Sequence, residues 1–81
     1  MKVRVHFFAQ LRDVTGLSEL DLELQPGATV AELLKDIYQL KPALRAHHRT
    51  LLIGSGVDFV ERDHALTDGE ELAIMPPVQG G

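Results

Sequence analysis

Apolar and polar positions alternate near both ends of the chain and recur at helical spacing between them. From residue 2 to residue 9, Val3, Val5 and Phe7 fall on one face and Arg4, His6 and Phe8 on the other, which predicts a half-buried strand. Arg12-Asp13-Val14-Thr15-Gly16 breaks the alternation and reads as a turn. Residues 19 to 24 alternate again, with Leu20, Leu22 and Leu24 set against Glu19, Asp21 and Glu23. This second strand has one acidic, wet face, and its short connection to the first predicts a hairpin. After Pro26-Gly27, Thr29 and Glu32 stand three apart at the head of an apolar run, the spacing of a capping box. Val30, Leu33, Leu34, Ile37 and Leu40 then give the inward stripe of one helix, which Pro42 ends.

A short helical turn is expected within residues 42–49, and Leu51, Leu52 and Ile53 open a third strand. Gly54-Ser55-Gly56 predicts a bend, bulge or turn there, and residues 57–60 a short fourth strand. Leu66-Thr67-Asp68-Gly69 is a turn, and residues 71–75 alternate once more, with Leu72 and Ile74 inward and Glu71, Ala73 and Met75 outward. Proline cannot donate to a ladder, so Pro76-Pro77 closes the last strand. A sheet wrapped around one main helix buries these stripes most economically, an α+β arrangement. The first and last strands are expected side by side and parallel at its centre.

Eighty-one residues make one domain, expected over residues 1–75, followed by a tail over residues 76–81. No apolar stretch approaches the ~20 residues of a membrane span, and the N-terminus does not read as a signal peptide. The absence of cysteine removes disulfides, thiolate zinc sites and a cysteine nucleophile, and makes the cytoplasm the expected compartment. The net charge is −4, and the eight bases are spread along the sequence, so nucleic acid is not an expected partner.

The ending carries the most specific chemistry. Pro76, Pro77, Val78, Gln79, Gly80 and Gly81 cannot readily join a helix or a sheet, and are expected to form a flexible strap. Glycine presents no Cβ, so Gly80-Gly81 can thread a slot that other residues would block. Six extended residues reach roughly 20 Å. Any chemistry of this ending is then expected at the terminal carboxyl of Gly81.

Phe7-Phe8-Ala9-Gln10-Leu11-Arg12, Leu66-Thr67-Asp68-Gly69-Glu70-Glu71-Leu72 and the ending Pro76-Pro77-Val78-Gln79-Gly80-Gly81 resemble the MoaD/ThiS family of ubiquitin-like β-grasp sulfur carriers, to which the small subunit of molybdopterin synthase belongs. The likeness runs the whole length of the chain. It implies that Gly81 is adenylated by an ATP-using activating enzyme and converted to a thiocarboxylate. The sulfur then passes to a pterin precursor held by the large subunit, within a heterotetramer of two small and two large subunits. The chain itself would bind no cofactor and would not be catalytic alone. Two positions depart from the family pattern: Met75 stands where an aromatic residue is usual, and Gly54-Ser55-Gly56 where an Asn-containing turn is expected. Related carriers for thiazole synthesis or tRNA thiolation share the tail chemistry, and a ubiquitin-like protein modifier or interaction module is the alternative of a different class.

Phe8, Ala73 and Met75, with Leu52 beside them, are expected to cluster on the sheet face away from the helix. Isolated exposed apolar residues are ordinary, but a joined group at the root of the tail suggests docking on a partner. Arg12 is placed either to pair with that partner or to pair with Asp13 and solvent. His6, His47, His48 and His64 lack ligand spacing, so no metal site is expected, and the carboxylates of Asp58, Glu61, Asp63, Glu70 and Glu71 read as solvated.

Overall fold

The computed structural model describes residues 1–77. Five strands form one sheet in the order β2-β1-β5-β3-β4, with β1 spanning Lys2–Phe7, β2 Glu19–Glu23, β3 Leu52–Ser55, β4 Asp58–Phe59 and β5 Glu71–Met75. β1 and β5 are parallel neighbours at the centre, and the remaining pairs are antiparallel. Because side chains alternate across a strand, the register places Val3, Val5, Phe7, Leu72, Ile74 and Ile53 on one face, all buried.

That face packs on helix α2, Val30–Leu40, whose start is fixed by the expected capping box: the Thr29 hydroxyl accepts from the Glu32 N–H, and the Glu32 carboxylate accepts from the Thr29 N–H. The N–H groups of Val30 and Ala31 donate to the carbonyls of His64 and Arg62, so the segment before β5 supplies acceptors that the helix itself lacks. The inward stripe is Val30, Leu33, Leu34, Ile37 and Tyr38. Leu40, expected in it, is 56% exposed. On a helical projection Tyr38 and Leu40 lie about 80° to either side of the stripe's centre. A 3-10 helix over Pro42–Thr50, longer than the single turn expected, packs on α2 and places His48 against Tyr38, while Leu44 is fully buried. Leu40 is left outside.

The segment expected as a turn before Gly16 is a short helix, α1, Leu11–Thr15. Ala9 takes φ 52°, which reverses the chain after β1 and drops Leu11 into the core. The Thr15 hydroxyl donates to the Leu11 carbonyl at 2.9 Å, and Gly16 at φ 75° returns its N–H to the Arg12 carbonyl at 2.8 Å. β1 therefore ends at Phe7, although the Phe8 N–H still donates to the Ile74 carbonyl.

Gly54 and Ser55 do not bend the chain; they stay in β3, paired with Ala73 and Leu72. The reversal falls on Gly56-Val57, with Gly56 at φ 62°, a two-residue hairpin that sets Ser55 opposite Asp58 and Gly54 opposite Phe59.

Candidate docking face at the root of the last strand

The sheet face turned away from α2 has two halves. Over β2 and β1 it is ionic. The Arg4 guanidinium meets both Asp21 oxygens, at 2.8 and 3.3 Å. Their hydrogen bond raises the Arg4 pKa and holds Asp21 below the usual carboxylate range. His6 Nε2 lies 2.8 Å from Glu71, with Nδ1 3.7 Å from Glu19, and the N-terminal ammonium is 3.1 Å from Glu23.

Over β5, β3 and β4 the same face is apolar. The pairings His6–Ala73, Ala73–Gly54 and Gly54–Phe59 make one row across the sheet, and Met75–Leu52 makes the next, at whose edge Phe8 leaves β1. Phe8 is 44% and Phe59 69% exposed, while Leu52, Ala73 and Met75 are half-buried. The expected residues Phe8, Leu52, Ala73 and Met75 thus share one surface where β5 ends. Phe59 belongs to it as well and was not expected. Its signal lies in the hairpin: a two-residue turn at Gly56-Val57 fixes Phe59 opposite Gly54, hence on the outer face.

Met75 and Gly54, both singled out in the sequence, meet here. A Cβ placed on Gly54 would lie 3.2 Å from the Met75 methyl carbon and 3.7 Å from the Ala73 Cβ. Gly54 is buried beneath the Met75 side chain, which lies across β3 where a side chain would otherwise stand. The flexible thioether fills the volume above the glycine.

Arg12 is exposed on α1, and none of the ion pairs among the described residues includes it, so of the alternatives weighed for it the pair with Asp13 is not formed. Glu70 corrects the expectation of a solvated carboxylate. Its side chain is 11% exposed, and its oxygens lie 2.5 Å from the Ser55 hydroxyl, 2.8 Å from His64 Nε2 and 2.9 Å from the Thr67 N–H. Burial alone would raise its pKa, but the hydrogen bonds from Ser55, His64 and Thr67 prevail and lower it to about 2. This cluster fastens β3 and the Thr67 turn to the start of β5. Ser55 and His64 both bond to Glu70, so they form no nucleophile–base pair through each other. Asp58, Glu61, Asp63 and Glu71 are exposed, as expected.

Among the described residues, no group of three or more His, Cys, Asp or Glu has metal-binding geometry, and no helix is long and apolar enough to cross a membrane. Pro76 and Pro77 follow directly from the apolar surface. Val78, Gln79, Gly80 and Gly81, the thin end and reactive carboxyl of the sequence reading, lie outside the described residues.

A mixed sheet wrapped on one main helix, with an apolar outer face where the last strand ends, defines a small ubiquitin-like β-grasp domain. The chain belongs to the ThiS family, whose model matches residues 5–81. It is 37% identical to the molybdopterin synthase sulfur carrier subunit of Chlamydomonas reinhardtii, over all of both chains. Its fold is similar to that of the putative molybdopterin converting factor subunit 1 from Pyrococcus furiosus, with TM-score 0.87 at 28% identity, covering 96% of this chain and 99% of that one. It is likewise similar to a chain of the Amycolatopsis orientalis BexX/CysO complex, with TM-score 0.74 at 29% identity, covering 98% of this chain and 99% of that one.

Proposed function

We propose that this chain is the sulfur-carrier subunit of a molybdopterin synthase, and that Gly81 carries the sulfur. The observation that carries this reading is the joined apolar surface at the point where β5 gives way to Pro76-Pro77, in a chain whose family match runs through Gly81. A body that docks by this surface leaves its last residues directed into the partner.

A carboxylate is a poor electrophile. Attack of the Gly81 carboxylate on ATP, bound by an adenylating enzyme, gives an acyl-adenylate and pyrophosphate. A persulfide sulfur displaces AMP, and a thiol reduces the resulting acyl disulfide to leave the thiocarboxylate. The sulfur then moves to a pterin precursor on the large subunit, in an assembly of two small and two large subunits. Docking face residues Phe8, Leu52, Ala73, Met75 and Phe59 hold the body, with Arg12 on the rim. Pro76, Pro77, Val78, Gln79 and Gly80 span the distance. Acid, base and oxyanion donors come from the partners, because the described body has no pocket in which a nucleophile and a base face each other. A need for ATP is compatible with a cytoplasmic carrier.

Co-expression with the adenylating enzyme, followed by intact-mass measurement, should show a gain of about 16 Da, oxygen replaced by sulfur at one carboxyl. Sulfur must then appear in pterin when the large subunit is added. Persistent absence of the heavier species would remove the carrier reading. Its presence together with transfer to a thiazole synthase or tRNA, and none to pterin, would reassign the acceptor.

A further inference from the structure

The bases that lie apart in the sequence do not stay apart in the fold. No Asp or Glu occurs between Asp36 and Asp58, whereas Lys41, Arg45 and Arg49 do, together with His47 and His48. The 3-10 helix carries four of these, Arg45, His47, His48 and Arg49, with Lys41 at its N-cap. Arg62 joins them from the segment after β4. Its Nη2 donates to the carbonyls of His48 and Leu51 at 3.0 and 3.1 Å, which satisfies the end of the 3-10 helix and holds the guanidinium in place. Arg49 and Arg62 line one hollow with Leu52, Phe59, Val60 and Glu61. Leu52 and Phe59 are also members of the apolar docking face, so the hollow is that face's continuation past β4. Glu61 opposes the two arginines in sign, but no ion pair among the described residues joins it to either. The edge of the docking face is therefore apolar at its floor and cationic at its rim.

We infer that the large subunit which receives the docking face also sets an acidic segment against Arg49 and Arg62, with an apolar side chain seated on Leu52, Phe59 and Val60. This deepens the carrier reading and rests on it. Charge complementarity selects the occupant: a basic partner surface would be repelled by Lys41, Arg45, Arg49 and Arg62 together, while an apolar one would leave a preorganised guanidinium dehydrated and unpaired. The contact would steer docking and fix the angle at which the carrier sits, since rim charges act mainly on association rate and register.

The test measures affinity of the full-length carrier for the large subunit of molybdopterin synthase from the same organism, at about 50 and about 500 mM salt. Arg49 is exposed and takes part in no ion pair among the described residues, so Arg49→Glu should leave the thermal midpoint unchanged. It should weaken binding about tenfold at low salt, the gap should close at high salt, and Arg49→Lys should keep most of the affinity. Phe59→Ala is run beside it. If Phe59→Ala weakens binding while Arg49→Glu matches or exceeds the wild type at both salts, the acidic contact is wrong and the docking face stands. If Phe59→Ala also leaves binding unchanged, the docking face is wrong and this inference falls with it.

Discussion

The two halves of the outer sheet face are made by neighbouring strands, yet they resolve their surface chemistry in opposite ways. On the β2–β1 half polar side chains meet complements in the same chain: Arg4 with Asp21, His6 with Glu71 and Glu19, and Glu23 with the N-terminus. On the β5–β3–β4 half Phe8 and Phe59 are left in water. A surface already satisfied internally gains little from a partner, because any new contact must first break an old one. A surface that exposes joined apolar groups gains on being covered, at roughly 25 cal/mol per Å² removed from water. The proposed docking therefore falls on one half of a single sheet, the half from which the last strand runs on to Pro76.

The largest effect should come from putting charge into the apolar half. The double variant Phe59→Asp with Met75→Asp should lower affinity for the large subunit on the order of 30-fold or more, by titration calorimetry, because burying an unpaired carboxylate adds to the lost apolar contact. Secondary structure should be retained, since both side chains stand on the outer face rather than in the core. Retained affinity would erase the contrast between the halves.

A smaller effect is expected at Glu70, beneath the apolar half. Glu70→Ala removes the acceptor shared by Ser55, His64 and Thr67, and should cost on the order of 1–3 kcal/mol at pH 7 in denaturant unfolding. The pKa is lowered from 4.5 to about 2 in the folded chain. The native state then holds the carboxylate charged where the unfolded chain takes up a proton. Its contribution is complete above the unfolded value and fades as pH falls through that interval. The wild type and Glu70→Ala should therefore differ most above pH 4.5 and converge toward pH 2. A gap that stays constant across that range would mean the cluster acts by shape and not by charge.

Much of this arrangement is legible in the sequence, and the parts that are not share a cause. Strand alternation, the Thr29–Glu32 cap and the Pro76-Pro77 stop are local rules, and they carried the helix and the placement of Ala73 and Met75, while the central β1–β5 pair followed from the rule for crossover connections. Tyr38 and Leu40 have equal claims on the helix stripe, and only the path of the 3-10 helix decides between them. Ala9 at a positive φ and the short helix after it depend on Leu11 finding a place in the core. Glu70 looks like any turn carboxylate until the fold brings Ser55 from 15 residues away. Arg49 and Arg62 are unremarkable in order and become neighbours only when β3 and β4 fold between them. Periodicity reports which face a residue is on; it does not report what another segment lays over that face.

On the ionic half, Arg4→Gln should leave both affinity for the large subunit and the thermal midpoint within measurement error. Arg4 and Asp21 are exposed, and a screened surface pair is worth little. A loss of binding here comparable to that of the apolar variant would move the interface onto β1 and β2.

A subtler variant probes the boundary between packing and recognition at Gly54. A β carbon there would sit 3.2 Å from the Met75 methyl, 3.7 Å from the Ala73 Cβ and 3.7 Å from the Asp58 carbonyl oxygen. The tightest of these is the free end of a flexible side chain, which can swing aside. Alanine also costs less chain entropy than glycine in a strand, a gain of about 0.5–1 kcal/mol against which the displaced thioether works. The two nearly cancel, so Gly54→Ala should change unfolding stability by less than about 0.5 kcal/mol. Affinity should nonetheless fall a few-fold, because Met75 leaves the bed that holds it flat beside Leu52 and Phe59. Unchanged binding with a displaced Met75, seen as a shifted methyl resonance, would show that the partner reads the apolar area of this half and not the posture of the methionine.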